Sequence, residues 1–359
     1  MFGGVSRYFY ELIRNTTTLE KPAELHVFQG IHINAYPLKS YRASMAKYFG
    51  IRHAVLPKTR RLFRQLNQRL FCAFARDSYG SRDVYHPTYY GSSVSEWRGS
   101  PVVVTVHDMI LELFANEFPQ REKLILEKKQ SIQRADLLVA VSEATKRDLI
   151  ELYNIPESTI RVVYEGGPDQ VTSSANVRSF AHERPYVLYV GTRGGYKNFS
   201  NLLRAYASSE KLKKNFDLVC FGGGPFTEEE LLEIDSAGCG KRVSNINGND
   251  ELLHLVYRNA ALFIYPSLYE GFGLPILEAF ACECPVVASD RGSIPEVGGN
   301  AVLYCDPERV DSICSTMETV VFDSGLSRQM VERGKLRKEK FVWSKMAREV
   351  VQVYREIAR

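Results

Sequence analysis

Read for its apolar and polar positions, the chain is a succession of short, nearly continuous apolar runs separated by longer stretches with helical spacing. Runs at 25–28, 84–86, 101–106, 137–141 and 160–164 predict strands in the first half; runs at 186–190, 216–221, 261–265 and 285–288 predict strands in the second. Continuous runs, rather than alternating ones, are what strands need when helices cover both faces of a parallel sheet. Several helix starts are marked. Thr227 is followed three residues later by Glu230, a capping box, and Ser142 precedes a helix that runs to Tyr153. Apolar positions at helical spacing over 343–358 predict a closing helix. Between Gly166 and Pro185 the periodicity stops and Gly, Ser, Asn and Pro take over, which predicts a linker.

The pattern therefore divides into a first α/β domain at 1–168, a linker at 169–184, a second α/β domain at 185–335, and a segment at 336–359 that returns to the first. Two cores of ordinary size suit 359 residues better than one. A composition of 45% hydrophobic and 25% charged residues is that of a globular protein. The net charge of +4 gives no ground for expecting nucleic-acid binding. Locally, Lys58, Arg60, Arg61, Arg64 and Arg69 interleave with Leu62, Phe63, Leu66, Leu70 and Phe71, as in a basic amphipathic helix. That stretch reads either as a solvated helix face or as a dock for anionic lipid or a lipid-linked acceptor. The seven cysteines show neither paired nor metal-site spacing, and no apolar stretch approaches about eighteen residues. The expectation is a cytoplasmic protein with peripheral membrane contact left open.

Candidate chemistry concentrates after two predicted strands. In Tyr265-Pro266-Ser267-Leu268-Tyr269-Glu270-Gly271-Phe272-Gly273-Leu274-Pro275-Ile276-Leu277-Glu278, glycines allow close backbone approach and Pro275 suits the first turn of a helix. The unpaired amides at such a helix start form a phosphate seat, here from Gly271, Phe272, Gly273 and Leu274. Glu270 and Glu278 flank it, and carboxylates accept bidentate hydrogen bonds from vicinal hydroxyls. In Val190-Gly191-Thr192-Arg193-Gly194-Gly195-Tyr196-Lys197-Asn198, Arg193 offers a planar fork and Lys197 a point charge, suited either to a diphosphate or to solvated surface. His107 and Asp108 end a predicted parallel strand, the usual edge for ligands, although a lone His often serves structure and an Asp there often caps a turn. Gly222-Gly223-Gly224-Pro225 reads as turn architecture.

The Glu270-to-Glu278 segment resembles the Glu-x7-Glu signature of retaining GT-B glycosyltransferases, the large group called family four. The resemblance extends over nearly the whole chain from Gly3, most specifically in the second half. It implies two facing Rossmann-like, doubly wound domains with a cleft between them. It assigns the donor diphosphate to Arg193, Lys197 and the helix amides, the base and ribose to the neighbourhood of Glu278, and the donor sugar to Glu270 and His107. Gly3 and Gly4 resemble the family's first glycine-rich loop, before which relatives carry a strand; here only Met1 and Phe2 precede it, so either the true start lies upstream or that first strand is missing. Glu283 stands where relatives place a helix-ending glycine, so a rearranged cap is expected.

The implied reaction is metal-independent transfer of a hexose, mannose slightly favoured, from a nucleotide diphosphate sugar to a glycan or lipid-linked acceptor in surface polysaccharide synthesis. No cofactor beyond the donor substrate is expected. The sequence has no Asp-x-Asp motif, in keeping with transfer without a metal. Alternatives are a nucleotide-sugar epimerase of related fold, a two-lobed sugar-binding protein, and a non-catalytic partner subunit.

Overall fold

The computed structural model of the chain describes residues 4–20, 23–32, 45–52, 66, 71, 83–91, 94, 97, 99–118, 121–168 and 182–358. Two parallel-sheet α/β lobes result, as the alternation of strand and helix signals predicts. In the first, β3 (Val103–Val106), β4 (Leu137–Ala140) and β5 (Ile160–Val162) pair in that order, and β1 (Leu25–His32) pairs in parallel with β2 (Met45–Arg52). The run at 84–86 forms only a single bridge, from Tyr85 to Val102. Among the described residues its longer helices are α1 (Gly4–Thr16), α2 (Arg121–Arg134) and α3 (Glu143–Tyr153).

The second lobe holds six parallel strands: β6 (Tyr186–Val190), β7 (Asp217–Phe221), β8 (Val243–Ile246), β9 (Leu262–Tyr265), β10 (Val286–Ser289) and β11 (Val302–Cys305), in the order β11-β10-β9-β6-β7-β8. Its helices are α4 (Phe199–Ser208), α5 (Glu210–Asn215), α6 (Glu228–Ser236), α7 (Asp250–Asn259), α8 (Leu274–Ala281), α9 (Ile294–Gly298), α10 (Val310–Val321) and α11 (Ser324–Lys338). Alternation along β6 divides the core into two layers. Tyr186, Leu188 and Val190 pack with Ile276, Leu277 and Phe280 of α8 on one face, while Val187 and Tyr189 pack with Leu202 of α4 and Met317 of α10 on the other.

The chain crosses between lobes twice, side by side. On the way out, the Gly167 amide donates to the Phe341 carbonyl at 3.0 Å; on the way back, Phe341 and Val342 lead into α12 (Trp343–Ile357). A β-carbon on Gly166 would lie 2.4 Å from the Trp343 nitrogen, and one on Gly167 2.7 Å from Leu277, so the crossing tolerates no side chain at either position. Trp343, Met346, Val350 and Val353 of α12 then join Tyr8, Phe9 and Leu12 of α1 in the first lobe's core. Of the linker at 169–184, only its last residues are described, and there His182 and Arg184 both bind Asp217 at 3.0 Å.

The expected rearrangement at Glu283 does not occur. Cys284 donates to the Ala279 carbonyl (2.9 Å) and Glu283 to the Phe280 carbonyl (3.2 Å), the bond pair of a Schellman cap, with Glu283 itself at φ 59°. A residue with a β-carbon accepts the left-handed geometry because both cap bonds depend on it, at a strain of about 1 kcal/mol. Its carboxylate meets Lys335 at 2.9 Å. The basic stretch at 58–71 lies outside the described residues except Leu66, which is exposed, and Phe71, which is buried against Tyr85 and Trp97. Met1, Phe2 and Gly3, and with them the question of a missing first strand, also lie outside. No helix among the described residues is long and apolar enough to cross a membrane.

Candidate active site

In the second sheet the strand order reverses between β6 and β9, so the loops leaving their carboxyl ends diverge and open a crevice. Both motifs singled out in the sequence are those loops, 191–198 after β6 and 266–273 after β9. They are strapped together. The Leu268 amide donates to the Tyr196 carbonyl (2.7 Å), and Asn198, at φ 61°, donates its side-chain amide to the carbonyls of Pro266 (3.0 Å) and Pro307 (2.7 Å). Lys197 Nζ reaches Glu270 Oε1 at 2.6 Å, and both side chains are mostly buried. The Ser293 hydroxyl lies 2.8 Å from the Glu270 carbonyl oxygen and 2.7 Å from that of Phe272, fixing the backbone on either side of Gly271.

Gly271 is a point of contact between lobes: a β-carbon there would fall 1.7 Å from the His107 carbonyl oxygen, so only glycine fits. Gly273, at φ 119°, opens α8 without a side-chain cap, leaving the helix-start amides to other partners. A β-carbon on Gly4, the first residue of α1, would sit 3.9 Å from Leu274 Cδ1, the first residue of α8. Two helix amino ends therefore meet at the seam, and their partial positive charges add to that of Lys197.

Two predicted residues are placed otherwise than expected. Arg193 does not present its fork to the crevice. Its side chain is 2% exposed, with Nε on Glu230 (2.9 Å), Nη1 on the Gly222 carbonyl (2.9 Å), Nη2 on the carbonyls of Gly224 (3.1 Å) and Pro225 (2.8 Å), and its plane over Phe226. The turn at 222–225 aims its carbonyls inward and so takes up the donors that a phosphate would need. Glu278, expected at the ribose end of a ligand, is held across the seam by Arg7 Nη1 at 2.7 Å. Burial pushes its carboxyl above the ordinary value, and Arg7 pulls against that shift. Arg7 was visible in the sequence only as part of the glycine loop; its place one turn into α1, facing α8, depends on the lobes meeting.

The first lobe contributes the ends of its own strands. His107, just beyond β3, binds Glu165 through Nδ1 at 3.0 Å, packs edge-on against Tyr8 with ring centres 4.9 Å apart, and has no partner for its buried Nε2 among the described residues. Glu165 carries no motif and was not singled out in the sequence. Asp108 caps a turn, its Oδ1 accepting from the Ile110 amide at 3.1 Å. Beneath His107, the Thr105 hydroxyl lies 3.2 Å from the Tyr8 hydroxyl and 2.9 Å from His86 Nε2, while His86 Nδ1 meets the Tyr354 hydroxyl of α12 at 2.6 Å. Burial pushes the His86 imidazole down to about 3, so that ring is neutral at ordinary pH.

Further contacts close the seam. Glu296 of α9 accepts from the amides of Glu143 (2.8 Å) and Ala144 (2.7 Å), capping α3 of the other lobe. The Ser142 hydroxyl donates to the Gly271 carbonyl at 2.7 Å, and the Tyr269 hydroxyl to Asp148 at 2.5 Å. Glu117 accepts from the Tyr196 amide at 3.2 Å, placing a first-lobe carboxylate over the loop after β6.

Comparison with known proteins covers both lobes. The family described as Glycosyltransferase Family 4 matches residues 2–168, and that described as Glycosyl transferases group 1 matches residues 172–337. O-antigen chain mannosyltransferase B of Escherichia coli is 29% identical over 98% of this chain and 96% of its own length. Among solved structures, a glycosyltransferase from Rickettsia africae superposes with a TM-score of 0.70 at 18% identity, covering 99% of this chain and 96% of that one. Anabaena Alr3699/HepE, solved in complex with UDP and glucose, gives 0.70 at 16% identity over 98% and 95%. At those identities the structures speak for the fold, two facing lobes of the GT-B kind. Family matches on each lobe and a relative aligned almost end to end carry the rest: the chain belongs to the group 1, family-four glycosyltransferases.

Proposed function

We propose that this glycosyltransferase moves a hexose, with mannose the first choice, from a nucleoside-diphosphate sugar to a glycan or lipid-linked acceptor during assembly of a surface polysaccharide. The E. coli relative, named as an O-antigen chain mannosyltransferase, supports the sugar and the setting. One observation carries the donor site: the Lys197–Glu270 pair lies in the crevice where the amino ends of α1 and α8 meet.

Sugar transfer requires charge to build on the departing diphosphate, and fixed donors aimed at that charge lower the barrier. Lys197 and the amides of Gly271, Phe272, Gly273, Leu274 and Gly4 supply them without a metal. Arg193 acts one step back, holding the turn at 222–225 and with it the loop that carries Lys197. Glu270 and His107 orient the sugar. Glu278 takes the ribose hydroxyls, exchanging its bond to Arg7 for them. Attack on the face from which the diphosphate leaves, with a phosphate oxygen accepting the acceptor's proton, retains the anomeric configuration. The seam contacts keep water from the donor.

The test is a panel of nucleoside-diphosphate sugars, read by thermal stabilisation and by nucleoside-diphosphate release with and without acceptors, followed by NMR of the product anomer. GDP-mannose is expected to stabilise the protein and to turn over only with acceptor, giving the α-anomer. Release of an epimerised sugar without acceptor, or an inverted product, overturns the proposal. Peripheral membrane contact through the basic stretch at 58–71 belongs to the same proposal, and absence of binding to anionic liposomes removes it.

A further inference from the structure

The geometry points to Glu165 as the positioning residue of the transfer site: it holds the His107 ring with its proton on Nδ1, so that Nε2 is left as a hydrogen-bond acceptor for a hydroxyl of the donor sugar. This deepens the donor-site proposal and rests on its assignment of His107 to the sugar.

The ring has two nitrogens and the structure uses one. Nδ1 lies 3.0 Å from Glu165 Oε1, and both side chains are largely buried, at 14% and 6% exposure. An ionised carboxylate only accepts, so the nitrogen facing it carries the proton. In a neutral imidazole the other nitrogen is then bare, and which nitrogen is protonated follows from the bond the first one makes. Nε2 is buried without a partner among the described residues. A buried acceptor left unpaired is unfavourable, and a ligand hydroxyl would satisfy it. The remaining neighbours do not compete for it. Tyr8 and Phe9 present ring edges to His107, the Tyr8 hydroxyl is engaged with Thr105, and the neutral His86 is engaged with Thr105 and Tyr354.

The position of Glu165 explains why a carboxylate belongs there. It follows β5 and immediately precedes Gly166 and Gly167, where the chain leaves the first lobe against Trp343 and Leu277. The backbone that sets His107 is thus anchored at the crossover, while the His107 carbonyl abuts Gly271 beside Glu270. Glu165 touches no reacting atom in this account and acts only through the ring.

The test reads the ring directly. In the full-length protein with 15N-labelled histidine, long-range proton–nitrogen correlations report which nitrogen of each imidazole is protonated, and His107→Gln identifies the relevant signals. The free protein is expected to show Nδ1 protonated and Nε2 bare. In Glu165→Leu, which fills the site without an acceptor, the proton moves to Nε2 and kcat with GDP-mannose falls at least tenfold, while GDP, which lacks the sugar, binds as before. Glu165→Gln keeps the shape should the leucine variant fail to fold; its kcat is expected to follow whichever tautomer it shows. A wild-type ring protonated on Nε2, or a folded variant with a reversed ring and wild-type kcat, overturns the inference. Because the ring is read without substrate, failure of the donor assignment would leave the tautomer result standing, and the two failures can be told apart.

Discussion

The two lobes differ in how far each builds its share of the site from its own contacts. In the second lobe, every functional loop is tied to its own lobe: Lys197 to Glu270, Asn198 to Pro266 and Pro307, Ser293 to the backbone around Gly271, and Arg193 to the turn at 222–225. In the first, Arg7 reaches across to Glu278, the Ser142 hydroxyl to Gly271, and the amino end of α3 to Glu296, although His107 is tied to Glu165 of its own lobe. One half-site is preorganised; the other is preorganised at His107 and completed elsewhere by contacts with the second lobe.

That contrast is open to test, and the largest effect is expected where preorganisation is deepest. Arg193→Ala removes a buried cation together with its bonds to Glu230 and three carbonyls, so the second lobe should lose about 3–5 kcal/mol, read by denaturant titration. A loss of turnover at unchanged stability would instead return Arg193 to the diphosphate. Next comes Lys197→Ala, expected to lower kcat about a hundredfold, roughly 2.7 kcal/mol, in a protein that remains folded. At the seam, Glu296→Ala frees two helix-end amides, worth about 1 kcal/mol; the expected result is a larger radius of gyration in scattering without donor and a several-fold rise in donor KM. Unchanged scattering and KM would mean that the first lobe does not depend on that cap. Smallest is Glu283→Gly, which relieves the left-handed strain and should stabilise the second lobe by about 1 kcal/mol in thermal melts.

What the sequence revealed follows the same division. Strands at the centre of the second sheet, β6, β7, β9 and β10, were legible because burial on both faces makes them continuous apolar runs. The edge strands β8, with Ser244 and Asn245, and β11 were not, since an edge strand is short and half exposed. In the first lobe β2 was hidden by its Lys47, Gly50 and Arg52. The loops after β6 and β9 were found because glycines and charges after an apolar run are a local signal. The direction in which Arg193 points was not, because it is decided by carbonyls some thirty residues away. Glu165 and Arg7 were missed for the same reason: a lone carboxylate after a strand, or a lone Arg on a helix, acquires meaning only from the surface it meets.

The return of α12 to α1 has a consequence for how the molecule is made. Chains emerge from the ribosome amino end first, and domains generally fold in that order. Here the lobe synthesised first lacks Trp343, Met346, Val350 and Val353 from its interior until this last helix is released. The lobe synthesised second is therefore the earlier of the two to finish folding, and the nascent first lobe must wait with an apolar groove along α1 uncovered.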